Sequence, residues 1–145
     1  MSQLDQAERS AAAMWARDTA SQALGIAIEV LAPGEVRATM TVRPDMVNGH
    51  DVCHGGYLFT LADTAFAFAC NAYGKVTVAA GAHIDFLRPV RAGERLTAHA
   101  SERHRGRRTG IYDVVLQNAA GETVALFRGR SHVTERPLPG AGPPP

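Results

Sequence analysis

The chain has 145 residues, 46% of them hydrophobic and 20% charged, with a formal net charge of +1. That suits one globular domain with a real core, and it supplies no overall field drawing the protein to nucleic acid or a membrane surface. The only cysteines, Cys53 and Cys70, do not make a disulfide scaffold. No apolar run reaches the roughly 20 residues of a membrane span and no leader sequence opens the chain, so the expected setting is the cytoplasm.

Residues 4–24 read as one helix: Ala is abundant, Gly and Pro are absent, and Leu4, Ala7, Ala11, Met14 and Trp15 follow the helical period, with Gly25 as the stop. Residues 26–31 and 36–42 read as two strands joined at Pro33-Gly34, the second alternating strictly. A loop from Pro44 to Gly55 follows, containing Asn48-Gly49-His50. Residues 56–73 are apolar around nearly the whole helical circumference, which predicts a buried helix, and Gly74 ends it. Four strands follow, over residues 76–87, 95–104, 111–117 and 123–133, with turns at 106–108 and 118–121. Residues 135–145 are rich in Pro and Gly and are expected to be disordered. The organisation is thus an N-terminal helix (1–24), one domain (25–134) and a tail.

The order helix, two strands, long helix, four strands predicts an α+β fold in which an antiparallel sheet wraps around a long buried central helix. In the strand at 111–117 both alternating sets carry apolar residues: Ile111 and Val115 on one face, Tyr112, Val114 and Leu116 on the other. One helix covers one face only, so the second points to another subunit.

Asp63 is a single carboxylate inside that apolar helix. An ionised group among Leu, Phe and Ala loses water at a cost of several kcal/mol (roughly) unless something compensates, and such surroundings favour a raised pKa. The helix opens with Cys53-His54-Gly55-Gly56, where free amides and the positive dipole end can hold a developing negative charge. An acid and an anion-stabilising helix start suit attack on an activated acyl group: Gly55 or Gly56 polarises the carbonyl, and Asp63 serves as general base or nucleophile. Asn48 can orient water or the acyl group, or simply make a turn before Gly49. His54 can hold the loop or bond to substrate. Asp63 can also be read as a structural acid paired with an Arg or a backbone amide.

Gly55 and Asp63 are eight positions apart, about 12 Å of rise and roughly 80° of rotation on one helix. They cannot meet one reacting atom from the same helix. Two antiparallel helices across a two-fold axis would bring each start to the other's acid, giving a dimer with two shared sites. His50 and His54 have helical metal-ligand spacing, but glycines flank both and no third ligand is evident, so no metal site is assigned. Cys53 beside His54 is not by itself a nucleophile–base pair. The basic turn Arg103-His-Arg-Gly-Arg-Arg108, with Arg88 and Arg91 at another strand end, suits phosphates, but it is too short and too poor in aromatics for a nucleic-acid surface.

Asn48-Gly-His50, Cys53-His-Gly-Gly56, Leu61-Ala-Asp63-Thr-Ala-Phe-Ala, Ile84-Asp-Phe-Leu-Arg-Pro89, Thr109-Gly-Ile-Tyr-Asp113 and Val124-Ala-Leu-Phe-Arg-Gly129 together resemble the PaaI thioesterases of phenylacetate degradation, hotdog-fold acyl-CoA thioesterases. The resemblance spans residues 14–132. It implies a hotdog fold, a homodimer with composite sites and usually a homotetramer. It also implies hydrolysis of phenylacetyl-CoA or hydroxyphenylacetyl-CoA without metal or organic cofactor, CoA being part of the substrate. The family roles fall on Asp63 as base or nucleophile, Gly55 as the carbonyl-polarising amide, and Asn48 with His54 in support. Gly56, Arg88, Arg107 and Arg108 are then expected to contact substrate and the CoA phosphates. Two rival readings are an enoyl-CoA hydratase on the same fold and a non-catalytic acyl-CoA binding module.

Overall fold

A computed structural model describes residues 2–142. The chain opens with a reciprocal cap: Ser2 Oγ accepts the Asp5 amide and the Asp5 carboxylate accepts the Ser2 amide, both at 3.0 Å, satisfying two donors that a helix start leaves over. Helix α1 runs Gln3–Trp15 and stops there, short of the expected residue 24. Asp18 accepts both the Ser21 amide at 3.0 Å and the Ser21 hydroxyl at 2.6 Å, starting a separate short helix, α2 (Thr19–Ala23). A short polar side chain bonded to nearby backbone competes with the helical ladder, and here it outweighs the helical propensity of the Ala-rich stretch. Gly25 ends α2 with φ of +70°, a conformation that costs glycine little.

Strands β1 (Ala27–Ala32) and β2 (Glu35–Thr41) pair antiparallel through the Pro33-Gly34 turn. A 3-10 turn over Pro44–Met46 and a bridge between Val47 and Cys53 give internal order to what the sequence marks only as a loop. The central helix α3 spans Gly55–Cys70. Four strands follow: β3 (Lys75–Phe86), β4 (Arg95–Arg105), β5 (Thr109–Gln117) and β6 (Thr123–Pro137). The sheet is fully antiparallel in the order β1-β2-β4-β5-β6-β3. It wraps α3 as the α+β hotdog expectation requires.

Small residues let the sheet close on the helix. Ala38, Ala98 and Ala100 are buried on its inner face, and Gly129 lies so near Phe66 that a Cβ there would stand 2.8 Å from the ring. Phe66 packs between Tyr112 and Phe127, with ring centroids 5.6 and 5.8 Å away. Each such fully buried side chain contributes about 1.5–3 kcal/mol.

Two further differences concern the ends of the helix and chain. α3 is not buried all round: Gly56 is exposed, and Thr60, Asp63 and Ala67 are half-buried along one stripe, a face that the sheet of this chain does not reach. Nor is the described part of the tail without partners. β6 runs to Pro137 against β3, the Leu138 amide donates to Gly74 O at 2.8 Å, and Ala141 is fully buried, with its carbonyl accepting from the Gln6 side chain at 3.4 Å. A backbone with partners and a covered methyl outweighs a composition that otherwise suggests disorder; residues 143–145 lie outside the described residues.

Candidate active site

The start of α3 is held by three backbone ties. Cys53 N–H donates to Val90 O at 2.6 Å, His54 N–H to Met46 O at 2.8 Å, and Tyr57 N–H to His54 O at 2.9 Å. His54 caps the helix, its Nδ1 accepting the Gly56 amide at 3.1 Å. The Gly55 amide has no acceptor among the described residues. Of the two glycines, therefore, Gly55 offers a free donor at the positive end of the helix, and Gly56 does not.

Beside Gly55 lies a cleft of about 450 Å³, lined by apolar side chains including Leu58, Phe86 and Leu87, with Arg88 among its lining residues. Phe86 lies directly over Gly55: a Cβ at 55 would stand 2.9 Å from the tip of the ring. Arg88 Nη1 is held by Glu122 at 3.0 Å. Sequence reasoning missed Phe86 and Leu87, though the pair sits between Ile84 and Arg88-Pro89, where two consecutive apolar residues break the strand's alternation.

Asn48 organises the loop ahead of the helix. Its Oδ1 accepts the amides of His50 at 2.9 Å and Val52 at 3.4 Å, and its amide donates to Val52 O at 2.8 Å. This turn carries Asp51 at φ +60°. The carbonyl end of Asn48 is thus committed to the loop, which leaves its NH₂ end for other work. His50 is exposed, and no cluster of three or more metal-ligating side chains occurs among the described residues.

Asp63 has no hydrogen-bond or ion-pair partner among the described residues, so no group of these pairs with it as a structural acid would require. Burial alone pushes its carboxyl above the usual aspartate range, since loss of water disfavours the charged form. The result is a more basic carboxylate. Burial also pushes the Cys53 thiol up to about 11, and its Sγ donates to His54 O; a neutral thiol tied to backbone is no nucleophile.

The structure separates the remaining basic residues. Arg88 lies with Gly55 in the cleft, whereas Arg107 lines a different cavity beside Cys70 and Tyr73, at the opposite end of α3. Arg108 lines neither, and its carbonyl accepts the Val133 amide at 2.7 Å. Sequence reasoning also missed Glu102, whose Oε1 accepts the hydroxyls of Tyr73 at 2.9 Å and Tyr112 at 2.8 Å. The signal was there: Glu102 continues the inward series Leu96, Ala98, Ala100 of β4.

Comparison with known proteins bears on this geometry. The family model described as Thioesterase superfamily matches residues 50–125, which include the start of α3, Asp63 and β3. The chain is 53% identical over 124 residues to acyl-coenzyme A thioesterase PaaI of Escherichia coli, covering 86% of this chain and 89% of that one. The solved structure of the E. coli PaaI protein superposes with a TM-score of 0.91 at 50% identity, over 94% of this chain and 99% of the other. A hypothetical thioesterase protein from Streptococcus pneumoniae solved with coenzyme A is similar at 29% identity and TM-score 0.73, over 77% and 88% of the two chains. A Streptococcus mutans protein bound to acetyl CoA is similar at 27% identity and TM-score 0.74, over 77% and 90%. The chain therefore belongs to the thioesterase superfamily, among the PaaI-type acyl-CoA thioesterases of the hotdog fold.

Proposed function

We propose that the chain hydrolyses phenylacetyl-CoA or a ring-hydroxylated relative to the free acid and CoA, at sites shared across a homodimer. The observation that carries the reading is the pairing of a free Gly55 amide with an unpartnered, desolvated Asp63. In this scheme the thioester oxygen accepts from Gly55 of one subunit. Asp63 of the other takes a proton from water, whose oxygen adds to the carbonyl carbon. The oxyanion gains strength of bonding at the Gly55 amide as charge develops. Collapse breaks the C–S bond and releases CoA as thiolate, which takes up a proton. The carboxylate attacking directly, through an anhydride opened by water, gives the same products.

Dimerisation is supported by β3. It is an edge strand bonded only to β6, with Val78 and Phe86 exposed at 43% and 52%. An open, partly apolar edge is a template for a second chain. Two copies related by a two-fold axis along that edge run their α3 helices antiparallel, and the open stripe of Gly56, Thr60, Asp63 and Ala67 then faces its counterpart. A homotetramer is supported by Ile111, Val115 and Leu126 on the outer face of the sheet, the first two half-buried and Leu126 43% exposed. Asn48, with its NH₂ group uncommitted, supports the acyl group or water, while His54 supports Gly55 by fixing the helix start. Gly56 flanks the thioester, and Arg88, which lines the cleft beside Gly55, meets a CoA phosphate; Arg107 and Arg108 do not line that cleft. The site uses no metal or organic cofactor, and a cytoplasmic setting goes with the substrate.

CoA release from a panel of acyl-CoAs, read with a thiol reagent, tests the reading. The expected result is fastest turnover with arylacetyl thioesters. Loss of enoyl absorbance without free thiol would turn it to a hydratase, and tight binding without turnover to a binding module.

A further inference from the structure

The open stripe of α3 carries Gly56, Thr60, Asp63 and Ala67, spaced by helical steps of three and four. Gly56 and Ala67 have no side-chain heteroatom, so Thr60 is the polar neighbour of Asp63 on this face. Its hydroxyl donates to Gly56 O at 2.9 Å. A carbonyl only accepts, so the hydroxyl hydrogen is committed and Thr60 Oγ1 is left as an acceptor. The next threonine on the helix gives the contrast. Thr64 makes the same bond, to Thr60 O at 2.7 Å, but it is buried and its oxygen is engaged with Ser21 Oγ at 3.3 Å. Thr60 is half-buried, and no other group bonds to its hydroxyl among the described residues.

Residues three apart on one helix face have Cβ atoms about 5–6 Å apart. Thr60 Oγ1 stands one bond beyond its Cβ, and the Asp63 carboxylate oxygens stand two bonds beyond theirs. The two side chains do not bond to each other. A free threonine hydroxyl would turn and donate to the carboxylate, making it a weaker base; the tie to Gly56 O prevents that. Two acceptors that share one water lie about 4.5 Å apart, from the usual hydrogen-bond length and the angle between the water's hydrogens. The spacing of Thr60 and Asp63 on the stripe suits that arrangement.

We infer that Thr60 orients the attacking water. The inference rests on the reading above in which Asp63 is the general base. The water donates one hydrogen to Asp63 and the other to Thr60 Oγ1. With both hydrogens placed, its lone pairs point off the stripe, toward the thioester carbon held at a Gly55 amide across the dimer. As the oxygen–carbon bond forms, the first hydrogen passes to Asp63 as a proton. The second stays on the added oxygen. The C–S bond then breaks, and the thiolate takes up the proton from Asp63. Nothing is transferred to Thr60, so its part is orientation.

Steady-state CoA release by the full chain tests this, using the acyl-CoA that the substrate panel turns over fastest. Thr60→Val keeps the side chain's shape and should lower kcat about tenfold, the worth of one hydrogen bond, with KM unchanged. Thr60→Ser should restore most of the rate. Back-bonded threonines slightly destabilise helices, so the Tm of Thr60→Val should hold or rise; a merely structural role would lower Tm and kcat together. In the Asp63→Asn background, adding Thr60→Val should cost less than about twofold, because both side chains act through one water. A wild-type kcat in Thr60→Val, or the same tenfold loss in both backgrounds, overturns the inference and leaves Asp63 standing as base. A wild-type rate in Asp63→Asn overturns both.

Discussion

His54 Nδ1 accepts the amide hydrogen of Gly56 at 3.1 Å, and this one bond leaves the neighbouring amide of Gly55 as the donor facing outward. His54 acts by holding geometry. His54→Ala should cost about 1 kcal/mol of stability, the usual worth of an N-cap, and lower turnover less than loss of Asp63 does. His54→Asn should recover most of the melting temperature, because Asn caps helix starts well. Thermal melts and steady-state rates on the two variants check this.

Asp63→Asn should lower kcat by about 10²–10⁴, the range for a lost general base, and should stabilise the fold at neutral pH. The native site disfavours the charged carboxyl, so its pKa is raised above the unfolded value. A group of this kind favours the fold at pH values below its unfolded pKa and loses that contribution as pH rises through the folded pKa. At neutral pH the wild type carries an unfavourable charge that Asn lacks; in acid both are neutral and the advantage should vanish. Melting curves across pH test this sign. The wild-type rate should fall in acid at a pH above the ordinary aspartate range.

Glu102→Ala should destabilise by about 1–3 kcal/mol, because the Tyr112 hydroxyl loses its acceptor inside the core. Adding Tyr112→Phe should cost less than it does alone, since the stranded hydroxyl is then gone. Urea unfolding of the four proteins in the cycle gives the coupling.

Gly129→Ala should cost about 1–3 kcal/mol through overpacking against the Phe66 ring. Phe66 is 1% exposed and has Tyr112 and Phe127 on either side, so it has nowhere to swing. Phe66→Leu in the Gly129→Ala background should recover part of the loss, and a melt series checks it.

Much of the fold was legible because each strand carries a period of two and α3 is apolar around most of its circumference. The hairpins β1–β2, β4–β5 and β5–β6 fall between the glycine-bearing turns that mark them. What hid was decided by single side chains or by long-range pairing. The break between α1 and α2 depends on Asp18 reaching Ser21, which no helical periodicity records. The pairing of β3 with β6 rather than with β4 is a tertiary outcome, and it is what extends β6 to Pro137 and draws in the tail.

At the site, the sequence marked Asp63 by its apolar neighbours and Gly55 by its place before the helix. The helix start alone did not separate Gly55 from Gly56, a choice that came only with the family resemblance, because the rotamer of His54 decides which amide is left free. The sequence joined Arg107 and Arg108 in one basic turn. The strand geometry puts the first beside the cavity and the second outside it.

The chain's last described stretch is bonded at Leu138 to Gly74 and pressed by Ala141 against Gln6 of α1, so that the first and last described segments lie side by side. Joining them with a short linker and opening the chain at an exposed turn such as Asn118–Gly121 is a topological change that the architecture tolerates. A permutant opened there disturbs Glu122, the partner of Arg88 in the cleft beneath Phe86, whereas a fluorescent fusion at the described C-terminal stretch touches neither.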